Sequence, residues 1–213
     1  MSVQQGNPLE QFTQELIDFA RGERRGIRNP FVMVPVDPPI EKQVVTRLEE
    51  WTTPGDVGIL AEWEDVTDAR GTPITVTSVR LDGLLPETTA FQTSTDLGPL
   101  ETVSSDSVKQ TLERNLASEL VSKLINTYLG DGGIANSQTS VLVLLGLGGL
   151  YPFTRASELL DELDRRNVNA TVGIPFPGSV EGGRLCFFKE DARHYYPAHR
   201  IDDQIGEGVL TDV

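Results

Sequence analysis

Two kinds of apolar pattern run along this chain. Residues 31–36 (Phe-Val-Met-Val-Pro-Val) and 141–145 (Val-Leu-Val-Leu-Leu) carry no polar side chain at all. Unbroken apolar runs of this length suit strands covered on both faces. Residues 170–176 and 184–188 read as further strands, and 74–81 alternates in the manner of a half-covered one. Elsewhere the apolar positions fall three or four apart. Asn7-Pro8 starts a helix with an N-cap and a proline in its first position, Leu9, Phe12, Leu16 and Phe19 line one side of it, and Gly22 ends it. After 31–36, Asp37-Pro38-Pro39 opens a second helix, with Asp37 as its cap and Ile40, Val44, Val45, Leu48 and Trp51 as its stripe. Residues 107–129 form the strongest helix, with Val108, Leu112, Leu116, Leu120, Leu124 and Tyr128 four apart. Residues 154–166 form another, capped by Thr154, with Leu159, Leu160 and Leu163 turned inward. Residues 56–69 fit either a helix or a strand. Residues 83–106, rich in Gly, Pro, Thr and Ser, read as a loop, and the acidic stretch from Asp202 reads as a tail, frayed over 204–213.

Strand, glycine turn, helix and strand follow one another from 141 to 176, which is a βαβ unit. The fold expected is a single-domain, Rossmann-like, three-layer α/β structure with a mainly parallel central sheet flanked by helices. One domain then spans 1–213, with 1–28 as an N-terminal helix and basic linker. Sites in such sheets lie at the carboxyl ends of the strands. Gly148, Gly149, Tyr151 and Pro152 follow one strand there, and Pro177 and Gly178 follow the next.

Charge changes this picture more than bulk composition does. The net charge is −14, and there are only four lysines, Lys42, Lys109, Lys123 and Lys189. Acidic, lysine-poor usage resembles that of salt-loving microbes, whose surfaces are screened in molar salt. In a mesophile the same balance opposes broad duplex DNA binding, which needs many cations on phosphates. The one basic cluster is Arg21, Arg24, Arg25 and Arg28. No apolar run approaches the length of a membrane span, and the N-terminus lacks the basic and apolar regions of a signal peptide. Cys186 is the single cysteine and lies in an apolar run, which fits a buried thiol in a reducing cytoplasm.

No set of catalytic residues emerges. Gly146-Leu147-Gly148-Gly149 is not followed by the Lys-Ser/Thr of a Walker loop, and Tyr151 stands where a dinucleotide fingerprint needs its third glycine. There is no G-x-S-x-G elbow. His194 and His199 are the only histidines and lack a metal-binding spacing. The carboxylates Glu49, Glu50, Glu158, Asp161 and Glu162 fall on outward helix faces. Neither a cofactor nor a metal is expected.

The segment from Leu150 to Leu163 resembles the "YP..R...LL..L" motif of BrxB proteins, components of BREX phage-defence systems, through Tyr151, Pro152, Arg155, Leu159, Leu160 and Leu163. Phe176-Pro177-Gly178, then Leu185 with Phe187-Phe188, then Tyr195-Tyr196 and His199-Arg200 resemble later segments of that family in the same order. Leu9-Glu10-Gln11-Phe12, and Asp37, Pro38, Pro39 and Glu41 after the first strand, resemble its N-terminal half. Two departures stand out. Ser179-Val180 replaces a tyrosine, and Pro197 replaces the arginine after the tyrosine pair. The resemblance implies a non-catalytic member of a cytoplasmic defence complex. Its company would be the phosphatase-like PglZ protein, and with it a BrxC-like ATPase and a PglX-like methyltransferase. Asp37, Pro38, Pro39, Gly148, Gly149, Tyr151, Pro152, Arg155, Pro177, Gly178, Tyr195, Tyr196 and Arg200 are then candidates for partner contact or local structure. Two other readings stay open: a nucleotide-binding enzyme or sensor using the Gly148 and Tyr151 edge, and a nucleic-acid-binding subunit using Arg24, Arg25, Arg28 and residues 194–200.

Overall fold

A computed structural model describes residues 6–24, 29–55, 60–96, 105–130, 133–181, 184–187 and 198–211. The strands are β1 (Phe31–Val36), β2 (Thr75–Arg80), β3 (Ser140–Leu145), β4 (Thr171–Glu181), β5 (Arg184–Phe187) and β6 (His199–Arg200). The helices are α1 (Pro8–Arg21), α2 (Glu41–Trp51), α3 (Leu81–Leu84), α4 (Thr89–Asp96), α5 (Ser105–Tyr128), α6 (Ala156–Arg165) and α7 (Glu207–Thr211). The sheet order is β2-β3-β4-β1-β6, parallel throughout, with β5 antiparallel to the far end of β4. This is an α/β architecture with a mainly parallel central sheet between helices. The strand order differs from the 3-2-1-4-5-6 order of a dinucleotide-binding sheet.

The continuous apolar runs are explained by helices on both sides. Every residue of β1 and β3 is buried. One face of the sheet (Met33, Val79, Leu142, Leu144, Val172, Ile174, Phe176) packs against Leu116, Leu120 and Leu124 of α5 and Leu159, Leu160 and Leu163 of α6. The other face (Val32, Val34, Val76, Val141, Val143, Leu145) packs against Phe12 and Leu16 of α1 and Val44, Leu48 and Trp51 of α2. The connection from β1 to β2 moves one way along the sheet, and those from β2 to β3 and β4 move back. Crossovers of one hand therefore place α2 and α5–α6 on opposite faces. At Gly173, in β4, α1 packs close against the sheet. A β-carbon there would stand 2.8 Å from both Phe12 Cζ and Leu16 Cδ1, so only glycine leaves room.

Several expectations are corrected. Asp37 makes no side-chain cap. A 3-10 turn, Pro38–Ile40, separates it from α2, and its backbone N–H donates to Ile205 O at 2.9 Å. Residues 83–106 are no simple loop, since they hold the end of α3, a 3-10 turn (Leu85–Glu87), α4 and the start of α5. Within 60–69, Leu60 and Ala61 are buried and the chain is irregular, neither helix nor strand. Trp51 Nε1 donates to Ala61 O at 2.8 Å, and Trp63 Nε1 to Trp51 O at 2.9 Å, so side-chain bonds replace a ladder there. The stretch after Asp202 is tied down rather than frayed. Ile205 is fully buried, bridges Val36 and donates to Pro35 O at 2.8 Å, and α7 follows. Thr154 does not cap α6: its hydroxyl is buried without a hydrogen bond, and Arg155 is the N-cap residue.

Glu162 does not point outward. It is 4% exposed, and its carboxylate takes hydrogen bonds from Arg165, from Arg166 Nε at 2.8 Å and from Ser118 Oγ of α5 at 3.2 Å. Burial works against its charge, but the bonds from Arg166 and Ser118 and the nearby Arg165 outweigh it and hold the carboxyl below the usual range. The α5–α6 pair is thus joined by a charged clamp as well as by leucines.

Candidate functional site

The carboxyl ends of β1, β2 and β3 meet around one small cavity. After β3 the chain turns through Gly146, at φ 73°, into a 3-10 turn, Leu147–Leu150. After β1 it passes through Pro38 and Pro39 to Glu41, the first residue of α2. After β2 it enters α3, where Asp82 lies. Glu41, Lys42, Val45, Arg80, Asp82, Gly146 and Gly149 line a cavity of about 300 Å³ between these ends.

Its geometry is set by carboxylates meeting glycines. Glu41 Oε1 accepts the Gly148 N–H at 2.8 Å, across 107 residues of sequence. A β-carbon on Gly148 would overlap the Glu41 carboxylate, and one on Gly146 would lie 2.6 Å from Asp82 Oδ1. The glycines therefore admit close carboxylates as well as a turn. Burial pushes the Glu41 carboxyl up, and Asp82 adds to this against the opposing Gly148 N–H and Arg80. Asp82 is held low by the Arg80 fork, at 2.9 and 2.6 Å, and Arg80 also reaches Glu49 at 3.7 Å. Replacing Gly148 with alanine should cost about 1–3 kcal/mol, because the new β-carbon overlaps the half-buried Glu41 carboxylate and forces it off its backbone donor. Urea titration of G148A, E41A and the double variant checks this. The double variant is expected to cost less than the sum of the singles, since removing Glu41 removes the overlap.

Beside the cavity an aromatic path runs outward. Phe176 packs on Phe187 (5.3 Å between centroids), and Phe187 on Tyr151 (5.6 Å). Tyr151 is 38% exposed, and Pro152 beside it is exposed. Arg155 follows, and its backbone N–H donates to Glu158 Oε2 at 3.0 Å, so Glu158 also has a local role. Pro177 is the last β4 residue in register with β1, opposite Val36, and Gly178 is the first to pair with β5, opposite Phe187. A β-carbon on Gly178 would overlap Cys186 O, so glycine marks where β4 changes partners. Cys186 is buried, as its apolar neighbours predict.

The structure thus gathers Asp37, Pro38, Pro39, Gly148, Gly149, Tyr151, Pro152, Arg155, Pro177 and Gly178 toward the carboxyl edge. It places the remaining candidates elsewhere. Arg200 pairs in register with Met33 in the middle of β1 and binds Asp202 at 2.7 Å. Arg21 lies 3.9 Å from Glu23, and Arg24 binds Glu15 and stands 3.5 Å from Asp18. His199 Nε2 is 3.8 Å from that same Glu15. Arg25, Arg28, His194, Tyr195 and Tyr196 lie outside the described residues. Among the described residues there is no cluster of three or more metal-binding side chains, and no helix is long and apolar enough to cross a membrane.

Fold and edge together define a parallel α/β protein whose strand ends are closed by its own carboxylates. The model of the family described as BREX protein BrxB matches residues 88–201, more than half of the 213-residue chain, and the chain belongs to that family. The match covers α4, α5, β3, the glycine turn, α6, β4, β5 and β6. The N-terminal segments resembling the family, 9–12 and 31–41, lie outside it. No curated protein and no solved structure gives a significant match.

Proposed function

We propose that this BREX component is a non-catalytic, cytoplasmic adaptor that binds the phosphatase-like PglZ protein of its system. The Glu41–Gly148 contact carries the reading. In parallel α/β sheets a phosphate is usually received by backbone N–H groups of the glycine turn at the strand ends. Here the Gly148 N–H is already bonded to a carboxylate, and Asp82 stands beside it. A phosphate would have to displace Glu41 and approach two carboxylates, which disfavours the nucleotide enzyme or sensor. The nucleic-acid reading is disfavoured by Arg24 and Arg200, whose charges are met by Glu15, Asp18 and Asp202. The exposed Tyr151–Pro152 corner, supported from behind by Phe187, suits contact with a protein. A BrxC-like ATPase and a PglX-like methyltransferase would join through the assembly.

The test is co-purification of the chain with the PglZ-like protein encoded beside it, at the salt of the native cytoplasm. A stable complex and no ATP hydrolysis by the chain alone are expected. No association, together with ATP turnover lost on substituting Gly149, would overturn the adaptor in favour of the enzyme.

A further inference from the structure

The two edges of the sheet are finished differently. On the β1 side the edge is occupied: β6 pairs with Val32 and Met33, Ile201 N donates to Met33 O, and Ile205 N donates to Pro35 O. On the β2 side the 66–67 segment pairs with the chain just before the strand, Ile74 N donating to Val66 O at 2.9 Å and Thr67 bridging Pro73. Beyond it, among the described residues, no backbone group pairs with the outer edge of the six-residue strand. Thr75 N donates to Thr139 O, so Thr75, Thr77 and Val79 turn their backbone groups toward β3. Val76 and Ser78, one step out of phase, turn theirs away.

Open edges are normally guarded by proline, lysine, a bulge or a covering segment. β2 reads Thr-Val-Thr-Ser-Val-Arg and pairs with β3 residue for residue without a bulge. Its one charge, Arg80, is drawn to Asp82 and Glu49. Around the edge, the 60–70 segment presents exposed Glu62, Glu64 and Asp65 against a single exposed Arg70. Trp63, partly buried, supplies apolar support on the α2 side.

We infer that β2 is a strand-addition site, at which an extended segment of a partner protein bearing basic side chains pairs with the Val76–Ser78 backbone. Main-chain bonds give the affinity in this mode, and flanking side chains give the choice of partner. The surrounding carboxylates select basic side chains. A second copy of the chain is a poor occupant, because it would bring another −14 of charge to the same edge. The inference rests on the adaptor reading, with the PglZ-like protein as donor of the segment.

Two measurements test it. Hydrogen exchange of the Val76 and Ser78 amides is expected to be fast in the free chain and to slow at least tenfold on adding the PglZ-like protein. Ser78→Pro removes an outward N–H and leaves the β3 ladder intact, as edge prolines do. It should weaken binding at least tenfold, whereas Ser78→Ala, which loses only the hydroxyl bonded to Thr52, should bind like the parent. Wild-type association with unchanged Val76 and Ser78 exchange overturns the strand-addition site and leaves the adaptor standing. Absence of wild-type association overturns the adaptor and this site with it. Slow exchange in the chain alone, together with a doubled mass in solution, overturns the basic partner in favour of a second copy.

Discussion

Leu144→Asp is expected to yield no folded protein. Leu144 lies in β3, paired with Val79 of β2, and its side chain is 1% exposed among Leu120, Leu124 and Leu160. Leu144 belongs to a cluster of buried apolar side chains, so a carboxylate placed there would be buried among them. An uncompensated buried charge costs several kcal/mol beyond the lost leucine packing, against a typical stability of about 5–15 kcal/mol. Circular dichroism and urea titration check this. A cooperative transition near the parent midpoint would show that β3 is not covered on this face. Leu144→Ala, which leaves only a cavity, should remain folded and lose about 2–5 kcal/mol.

Trp51→Ala should cost about 3–5 kcal/mol from lost packing. The side chain is 1% exposed in the layer between α1, α2 and the sheet. Its loss also orphans the Ala61 carbonyl, which its indole N–H satisfies, at about 1–3 kcal/mol if no water replaces it. Trp51→Phe separates the two effects in the main, keeping much of the ring's packing and losing the donor. Guanidinium unfolding measures both, with midpoints falling in the order parent, Trp51→Phe, Trp51→Ala. A Trp51→Phe midpoint equal to the parent's would mean that the indole bond carries nothing, and equal midpoints for the two variants would mean that the ring's packing carries nothing.

The buried parallel strands were legible because cover on both faces removes polar alternation, as in residues 31–36 and 141–145. Helix α1 was legible because its signals are local. Asn7 Oδ1 accepts the Leu9 N–H at 2.9 Å, and Gly22 takes φ 78°. What stayed hidden depends on distant partners. Helices α3 and α4 are short, with Gly83 inside the first and Pro86 between them, so local propensity points to a loop; burial of Leu81 and Leu84 in the core and of Ala90 in α4 decides otherwise. Ile205 looked like part of a tail because the vacant edge of β1 cannot be seen from its neighbours in sequence. Glu162 looked like surface because Ser118 is 44 residues away, although Arg165 and Arg166 at i+3 and i+4 were an available hint.

The candidate edge divides in the same way. The βαβ pattern alone puts Gly148, Gly149 and Tyr151 beyond a strand end. Glu41 and Asp82, which fill that edge, carry no local mark, since each meets the glycine turn only through the fold. Arg24 and Arg25 are adjacent in a basic run, yet Arg24 turns back to Glu15 and Asp18 on α1. A cluster of like charges in sequence says little about net charge in space.

The sheet order also sets a timetable for synthesis. β1 is the first strand to leave the ribosome, but its neighbours are β4 and β6, with Phe31 opposite Val172 and Val32 opposite His199. While everything between is being made, β1 is an apolar ribbon without either partner. β2 and β3 can pair with each other sooner but gain their place beside β1 only when β4 slides between. Contacts this distant in sequence slow folding and lengthen the exposure of sticky surface. A nascent chain stopped before residue 171 therefore holds both of its apolar layers half-built, and its sheet can close only once β4 has been made.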